Sequence, residues 1–485
     1  MSEDRLHVVI AGGGVAAVES LLALRELAGQ RVEITLVSPE REFLYRPVTV
    51  AEAFDRAEAH AYALEDIVSY EGGGELIWDR LDGVVAAEHV AVTDSGARIP
   101  FDALIVATGA IPCEPLPGAV TFRGRGDVAA LRRVLNELLT GSARSVALTL
   151  PAERTWPVPI YELALMTAVH LRHHGSDAGV WLVTPEEEPL ELFGPAGSRA
   201  INEMLTASGV RLLTSSRPVL VRNGALVLAG GGEIYVDRVV TLPQLAGPRL
   251  HGLPHDHNGF IPVDSHGRVS GLEGVYAAGD VTAFPLKQGG LAAQQADAVA
   301  EVIAAELGIP ITPQPFKPVL RGLLMTDGAP LYLRAEPQRL AREATVATEA
   351  TSVGRSSPAA SYAAGRPLWW PEAKIAARYL GPFLATARPQ PLASALLTDR
   401  VAGAVPSVAD DEDARELALM LAEYDARWGD YRAAADLLDG AEALQGTLPP
   451  EYQAKRRQWR ASNGGRGPGS PVVAPPPSGS PRSTH

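Results

Sequence analysis

Cysteine is almost absent from this sequence. Cys113 is the single cysteine among 485 residues. One thiol cannot form an internal disulfide, a Cys-x-x-Cys redox pair or a cysteine-based metal cage, so these chemistries are excluded. We expect Cys113 to pack as a small apolar residue, as free cysteines commonly do, and we predict no metal site.

Positive charge and long apolar runs are also scarce. Lysine and arginine number 43 against 57 acidic residues, which gives a net charge of −14 and disfavours nucleic acid or an anionic membrane as partner. The acidic run Glu186 to Glu188 is predicted to be a solvated loop. No segment approaches the roughly 18 consecutive apolar residues that cross a bilayer, and the chain enters a strand at once rather than a signal peptide. We therefore expect a cytoplasmic protein without a transmembrane segment, whose partner is a small molecule or a redox protein.

A third absence is local. Residues 149–165, "TLPAERTWPVPIYELAL", contain no glycine. The strand-like run "SVALTL" leads into this segment, and a helix-like run extends from its end. A second phosphate-binding glycine loop would stand at this junction in a protein with two dinucleotide-binding halves. The missing glycines call into question whether the second half holds a dinucleotide.

The patterns that are present predict an α/β fold. Residues 7–40 have the order of a βαβ unit, and residues 144–184 repeat it. We predict two Rossmann-like, doubly wound domains, the second inserted in the first. Residues 1–140 and 245–315 would form the first, and residues 141–244 a degenerate second.

Three further segments follow these two halves. Residues 316–400 combine a hairpin pattern with the amphipathic stretch "EAKIAARYLGPFLA" and predict an interface region. Its apolar face suits core packing or a homodimer, with peripheral membrane contact as an alternative. Residues 407–460 resemble one tetratricopeptide-like helical hairpin, which either packs on the body or receives a protein partner. Residues 462–485 are rich in Gly, Pro and Ser and are predicted to be disordered.

A glycine loop follows the first predicted strand. Gly12 permits a tight turn, Gly14 lets the backbone approach a pyrophosphate, and Ala17 allows helix and strand to pack closely. Freed N–H groups and the helix dipole would bind the phosphates. An acidic residue that contacts a ribose should end the second strand, where Ser38 and Glu40 are both candidates.

Two more glycine signals end predicted return strands. Thr108 and Gly109 end one of them, and Gly279 and Asp280 end the other. Ligands of doubly wound sheets lie beyond the carboxyl ends of the strands. These residues and the first glycine loop should therefore line one crevice.

The segments "IAGGGVAAVES", "DALIVATGAIP" and "GVYAAGDV" resemble the FAD signatures of the pyridine nucleotide-disulfide oxidoreductase superfamily, especially its type II NADH dehydrogenase and sulfide:quinone oxidoreductase branch. The resemblance covers about residues 5–385 in order. It implies FAD as the cofactor, with Asp280 at the ribityl or pyrophosphate region. It places Lys287 near the pyrimidine end of the flavin ring and the Gln288 and Gly289 N–H groups at ring oxygens. Pro47 would pack beside the ring.

The same resemblance bears on the glycine-free segment. Pro157 and Pro159 stand where a glycine loop would be; proline has no N–H donor, and Trp156 adds bulk there. Glu162 keeps the position of a family glutamate near the flavin–nicotinamide contact. The sulfide-oxidising relatives need cysteines beside the flavin, which this chain lacks. Binding of NAD(P)H is left open.

Taken with the resemblance, these features predict a FAD-dependent oxidoreductase. It would pass two electrons from an unidentified donor through flavin to a quinone-like or protein acceptor. Lys287 and Glu162 are the predicted catalytic residues. Two alternatives remain: an NAD(P)H dehydrogenase with an atypical nicotinamide site, and a FAD-binding scaffold or interaction protein without turnover.

Overall fold

The protein is described by a computed structural model. It describes residues 5–69, 73–152, 155–326, 328–337, 361–369, 373–387 and 447–462, with single residues between 419 and 442. Two compact units divide the chain, Met1–Val405 and Pro406–His485. In the described ranges, no helix is long and apolar enough to cross a membrane.

The described ranges contain both helices and strands. The α-helices are α1 (Val15–Ala28), α2 (Thr49–Glu52), α3 (Leu64–Ser69), α4 (Val128–Leu139), α5 (Val158–His173), α6 (Gly194–Ala207), α7 (Gly289–Glu306), α8 (Leu380–Ala387) and α9 (Pro450–Ser462). The strands are β1 (Leu6–Ala11), β2 (Val32–Val37), β3 (Glu42–Leu44), β4 (Ala61–Ala63), β5 (Glu75–Ile77), β6 (Leu81–Val85), β7 (Val90–Thr93), β8 (Arg98–Pro100), β9 (Ala103–Val106), β10 (Ile111–Cys113), β11 (Val120–Thr121), β12 (Ser145–Thr149), β13 (Gly179–Val183), β14 (Arg211–Leu213), β15 (Pro218–Arg222), β16 (Ala225–Leu228), β17 (Glu233–Tyr235), β18 (Arg238–Thr241), β19 (Gln244–Ala246), β20 (Val275–Ala277), β21 (Leu320–Leu324), β22 (Leu331–Ala335) and β23 (Ser361–Ala364).

Five parallel strands form the first sheet, in the order β20-β9-β1-β2-β5. Successive residues of a strand face opposite sides of the sheet. Val8 and Ile10 of β1 share a core with helices α1 and α7, whereas Val9 and Ala11 share one with the antiparallel sheet β6-β7-β8. Burial on both faces explains why residues 8–11 of β1 are an unbroken apolar run in the sequence.

The second sheet repeats this architecture. Its parallel strands run in the order β11-β18-β12-β13-β14. Val146 and Leu148 of β12 share a core with helices α4, α5 and α6, while Ala147 lies in a core with the antiparallel sheet β15-β16-β17. These strands lie in the chain between β9 and β20 of the first sheet. The predicted α/β fold, with a second Rossmann-like half inserted in the first, is confirmed.

Strands β10 and β19 form a two-stranded antiparallel ribbon. In the chain, β10 lies where the first half leads into the second, and β19 lies where the second half leads back to the first. All three residues of β10 are exposed. The expectation that Cys113 packs as an apolar filler is therefore wrong: its thiol is free and exposed. A ribbon that pairs only through its backbone leaves such a side chain in solvent.

The amphipathic stretch of the interface region begins its helix later than the sequence pattern predicts. The pattern covers residues 372–385, whereas α8 starts at Leu380. The reason lies in another helix: the Glu19 carboxylate of α1 accepts hydrogen bonds from the N–H groups of Arg378, Tyr379 and Leu380, at 2.6 to 2.9 Å. A carboxylate that satisfies the first free N–H groups fixes the start of a helix. Ile375 and Leu380 are buried in the core of the first unit, so this apolar face packs internally.

The second unit contributes a small apolar cluster around α9. Its described buried members are Ala422, Ala435, Leu438, Leu448 and Trp459. Most of the predicted tetratricopeptide-like hairpin over 407–460 lies outside the described residues. The predicted tail also lies outside them, apart from residue 462.

Candidate functional site

The crevice begins at the glycine turn between β1 and α1. Gly12 has φ +134°, and a Cβ built on it would lie 2.2 Å from the carbonyl oxygen of Ala107. Its N–H donates to the carbonyl of Val37 at 2.8 Å. Only glycine fits between the ends of β1, β9 and β2, so the turn predicted from the sequence has a steric cause.

Gly14 and the start of α1 provide the phosphate-binding geometry. Gly14 is the N-cap of α1, and no side chain there accepts the first N–H groups of the helix. A Cβ on Gly14 would meet no atom within 4 Å, so the backbone faces open space. Ala17 is fully buried against the sheet. Free N–H groups at the positive end of a helix dipole suit a pyrophosphate.

The ends of β9 and β20 open onto the same edge of the sheet. Thr108 Oγ1 is buried and has no hydrogen-bond partner in the described part of the chain, and Gly109 has φ +75°. Gly279 has φ +82°, and its N–H donates to Gln295 Oε1 at 2.7 Å. A buried hydroxyl without a partner is costly unless a ligand satisfies it. The residues at this edge therefore fit a polar cofactor such as FAD.

Asp280 lies in this crevice with its carboxylate uncommitted. Burial raises the pKa of Asp280, while the charges of Lys287 and Arg46 oppose the rise. No residue in the described ranges donates a hydrogen bond to its carboxylate. Such an acceptor is suited to the hydroxyl groups of a ribityl chain.

Replacing Asp280 with alanine should weaken FAD binding by about 10- to 100-fold, since hydrogen bonds to charged groups contribute about 1.5–3 kcal/mol. The dissociation constant is measured by adding FAD to the apoprotein and following flavin fluorescence. Glu203→Ala, an exposed acid on α6, is the matched control. Equal FAD affinity in Asp280→Ala and the wild type, with both folded by circular dichroism, would remove Asp280 from the site.

The two candidates for the ribose contact differ in exposure. Ser38 is fully buried, and its Oγ accepts the Glu40 N–H at 3.2 Å. A Cβ on Gly13 would come within 2.5 Å of the same oxygen. Glu40 is exposed beyond the end of β2. The geometry favours Glu40 for a contact with a ligand and Ser38 for shaping the loop.

The loop before α7 uses its polar groups internally. The Lys287 ammonium donates to the carbonyls of Thr282 and Phe284 and lies 3.9 Å from the centre of the Phe260 ring. Burial lowers the pKa of Lys287 to about 8. The predicted role of Lys287 beside the flavin therefore stays a prediction, and in this structure its donors serve the loop.

Gln288 and Gly289 form the start of α7. Gln288 caps the helix, because its Oε1 accepts the Leu291 N–H at 2.8 Å. A Cβ on Gly289 would lie 3.1 Å from Ile375, so the helix start packs against the interface region. Ile375 also donates its N–H to Tyr45 Oη at 3.0 Å. Pro47, two residues after Tyr45, is half-buried in a short turn.

Glu162 lies in a buried ion pair that the sequence did not reveal. Its Oε1 is 2.5 Å from Lys374 Nζ and accepts the Met325 N–H at 2.7 Å, while Oε2 has no partner among the described residues. The side chains of Glu162 and Lys374 are 1% and 5% exposed. Burial raises the pKa of Glu162 and lowers that of Lys374, and their attraction opposes both shifts. The pair ties the second half to the interface region.

The start of α5 has little to offer a phosphate. Pro157 is the N-cap and Pro159 lies in the first turn, so two N–H donors are missing from this end. The Trp156 ring packs against Phe193, with centres 5.7 Å apart. Ile160 and Tyr161 are fully buried. Helix α5 thus begins with proline, preceded by the bulky Trp156, whereas α1 begins with glycine.

The acid beyond the end of β13 is buried and bound through one of its two oxygens, while Oε1 has no partner among the described residues. Glu186 is only 3% exposed, so the expectation of a solvated acidic loop is wrong for this residue. Its Oε2 accepts from Tyr161 Oη at 2.6 Å and from Thr184 Oγ1 at 2.8 Å. Burial raises the pKa of Glu186 to about 7. The signal that sequence reasoning missed is Tyr161, whose phenol reaches this position from α5.

Metal chemistry is not indicated by any side-chain cluster. Within the same described ranges, no group of three or more histidine, cysteine, aspartate or glutamate residues could hold a metal ion.

The first of two Rossmann-like sheets carries a glycine turn and a crevice whose residues fit a polar cofactor. The chain belongs to the pyridine nucleotide-disulphide oxidoreductase family, whose pattern matches residues 6–148 and 162–300. FAD is the cofactor. The match is interrupted at 149–161, which lies within the glycine-free segment 149–165.

Similar proteins are electron-transfer enzymes. The ferredoxin reductase component of chlorobenzene dioxygenase from Cupriavidus sp. is 28% identical over 395 residues, which is 71% of this chain and 89% of the relative. The ferredoxin–NAD(+) reductase subunit of the benzene 1,2-dioxygenase system from Pseudomonas putida is 27% identical over 339 residues, 63% of this chain and 77% of the relative. The structure of sulfide:quinone oxidoreductase from Aquifex aeolicus has a TM-score of 0.62 at 20% identity, covering 69% of this chain and 84% of that one. The family and the relatives establish a flavin-dependent electron-transfer oxidoreductase.

Proposed function

We propose that this enzyme passes two electrons through FAD to a quinone-like or protein acceptor from a reductant that does not dock as a dinucleotide on the second half. One observation carries the choice of donor: the junction between β12 and α5 has two prolines and no glycine. FAD supplies the redox step when bound. The residues of the first crevice, from Gly12 to Asp280, hold and orient it.

The ribose side of the second half supports the same proposal. In a dinucleotide site the acid after the second strand accepts a ribose hydroxyl. Glu186 stands at that place, but it is only 3% exposed, and its Oε2 already accepts from Tyr161 and Thr184. A ribose would have to reach the buried Oε1 of Glu186, and a dinucleotide would find few N–H donors for its phosphates. Both contacts that normally hold the adenosine half are therefore weakened.

The acceptor side is supported by the relatives. Two of them are named as ferredoxin reductase components of dioxygenase systems. A small redox protein is thus the acceptor class to test first, followed by a soluble quinone analogue. A FAD-binding scaffold without turnover remains the outcome if neither accepts electrons from the reduced protein.

A second candidate function is an NAD(P)H-dependent reductase. One relative is named as a ferredoxin–NAD(+) reductase subunit, and this chain spans 77% of its length. In this candidate the nicotinamide would reach the flavin without the usual phosphate loop.

Anaerobic absorbance separates the two functions. The FAD-loaded protein is mixed with excess NADH and, separately, with NADPH, and the flavin band near 450 nm (about the usual flavin maximum) is followed. We expect the flavin to stay oxidised with NADH and with NADPH, so that its absorbance band is unchanged. Dithionite should bleach the band, which would show that the bound flavin can be reduced. Bleaching by NADH or NADPH within seconds would contradict the proposed donor and establish the second candidate.

A further inference from the structure

An exposed tryptophan stands at the edge of the first sheet. Trp78 follows β5 directly and is 54% exposed, which is unusual for so large an apolar side chain. The guanidinium carbon of Arg41 lies 4.1 Å from the centre of the indole ring. One part of the ring is thus covered by a cation, while about half of the side chain stays accessible.

Trp78 lies on the ligand-binding edge of the sheet. The strands β1, β2 and β5 are parallel neighbours, with Val37 opposite Ile77, so their carboxyl ends meet at one edge. The Ser38 N–H donates to the carbonyl of Ile77 at 3.0 Å, which fixes the loop after β2 beside the loop after β5. Neighbouring strands lie about 4.8 Å apart. The end of β5 is therefore two strands, or about 10 Å, from the glycine turn after β1.

The order of groups in FAD matches the order of these strand ends. The glycine turn after β1 faces the pyrophosphate, and the exposed Glu40 after β2 is placed for the adenosine ribose. The base joined to that ribose then extends in the same direction, toward the end of β5. The Trp78 indole and the Arg41 guanidinium are exposed at that strand end, 4.1 Å apart.

We infer that Trp78 and Arg41 form the platform on which the adenine of FAD stacks. Aromatic faces and guanidinium planes both stack on nucleobases. Arg41 is held in place through its backbone, because its carbonyl accepts the Leu64 N–H at 2.9 Å. The platform recognises the adenylate part of FAD alone, so it distinguishes FAD from flavins that lack adenosine. It does not depend on which reductant the enzyme uses.

The experiment compares FAD with FMN on the apoprotein. FMN carries the same flavin ring without the adenosine and serves as an internal control. Dissociation constants are measured by flavin fluorescence for the wild type, Trp78→Ala, Trp78→Phe and Tyr235→Ala. Tyr235 is 75% exposed on β17 of the second half and is the matched control for loss of an exposed aromatic.

We expect Trp78→Ala to weaken FAD binding by about 5- to 100-fold, in line with base–aromatic stacking, and to leave FMN binding unchanged. Trp78→Phe should retain most of the affinity, because it keeps an aromatic face, and Tyr235→Ala should match the wild type. Unchanged FAD affinity in Trp78→Ala, or an equal loss for FAD and FMN, would overturn the platform.

Indole fluorescence gives a second readout that needs no turnover. Adding FAD to the wild-type apoprotein should quench more tryptophan emission than adding it to Trp78→Phe, because a stacked base and nearby flavin quench the indole. Equal quenching in the two proteins would contradict stacking on Trp78. This test stands even if Trp78→Ala fails to fold.

Discussion

Replacing Lys374 with methionine should destabilise the first unit by about 3–5 kcal/mol, the usual cost of removing one partner of a buried ion pair. Glu162 would keep a single hydrogen bond, from the Met325 N–H, while its second oxygen already lacks a partner in the described chain. Methionine retains the length of the lysine stem, so the loss reports the charge rather than a cavity. The free energy of unfolding comes from urea titration of the FAD-loaded protein.

A double variant separates the pair from the packing. Glu162→Gln with Lys374→Met removes both charges, and it should recover part of the stability lost in Lys374→Met alone. A double variant no more stable than Lys374→Met would show that the ion pair is not the source of the loss. Glu203→Gln, at an exposed position of α6, should leave the free energy of unfolding unchanged.

Asp297→Asn should gain stability relative to the wild type as the pH rises from the ordinary aspartate pKa through the raised pKa of Asp297. Burial and then the charge of Glu19 hold the pKa of Asp297 well above its usual range. Burial also raises the pKa of Glu19, although its carboxylate accepts three N–H groups. Arg378 and Glu301 face the same pair and are bound to each other at 3.1 Å. We therefore expect one proton to be shared by the pair, held mainly on Asp297.

The sign of the pH dependence follows from linkage. The stabilising contribution of the Asp297 proton is complete below the ordinary aspartate pKa of about 3.9 and is lost as the pH rises through the raised folded pKa. In that window the unfolded chain binds fewer protons than the folded one, so stability falls by up to about 1.4 kcal/mol per pH unit. Asparagine does not titrate, so the variant should lack this fall in stability with pH. Parallel stability curves for Asp297→Asn and the wild type between pH 5 and 8 (about the range in which both stay folded) would contradict the shared proton.

Glu19→Gln is the matched variant on the other side of the pair. It should lower stability at every pH, because an amide nitrogen cannot accept the N–H groups at the start of α8. Faster hydrogen exchange at Arg378, Tyr379 and Leu380 would locate the loss. Unchanged exchange there would show that Glu19 does not hold this segment.

Local patterns predict the fold and the glycine turn after β1. A glycine turn between an apolar run and a helical run depends on neighbouring residues and on one close contact, such as Gly12 against Ala107. The absence of glycine from 149–165 is equally informative, because prolines remove two N–H donors from the start of α5. Signals of this kind lie within a few residues of the structure they determine.

The pairings that the sequence could not reveal are distant ones. Glu162 and Lys374 are 212 positions apart, and Glu19 meets residues 378–380 only after folding. Glu186 belongs to an acidic run typical of a solvated loop, yet Tyr161 draws it into the core. Polar side chains that bind each other across the fold produce no periodic or fixed-spacing pattern in the sequence, so sequence patterns do not predict such pairs.

The division of the first sheet between two distant parts of the chain has a consequence for biosynthesis. Helix α1 packs on α7, and β20 completes one edge of the same sheet. About 260 residues separate the end of α1 from the start of α7, which at typical elongation rates is on the order of 10–50 s of translation. During that time the apolar face that α1 later packs on α7 is not covered by that helix. Mutations that slow the pairing of α1 with α7 should therefore lower the yield of soluble protein before they affect the finished enzyme.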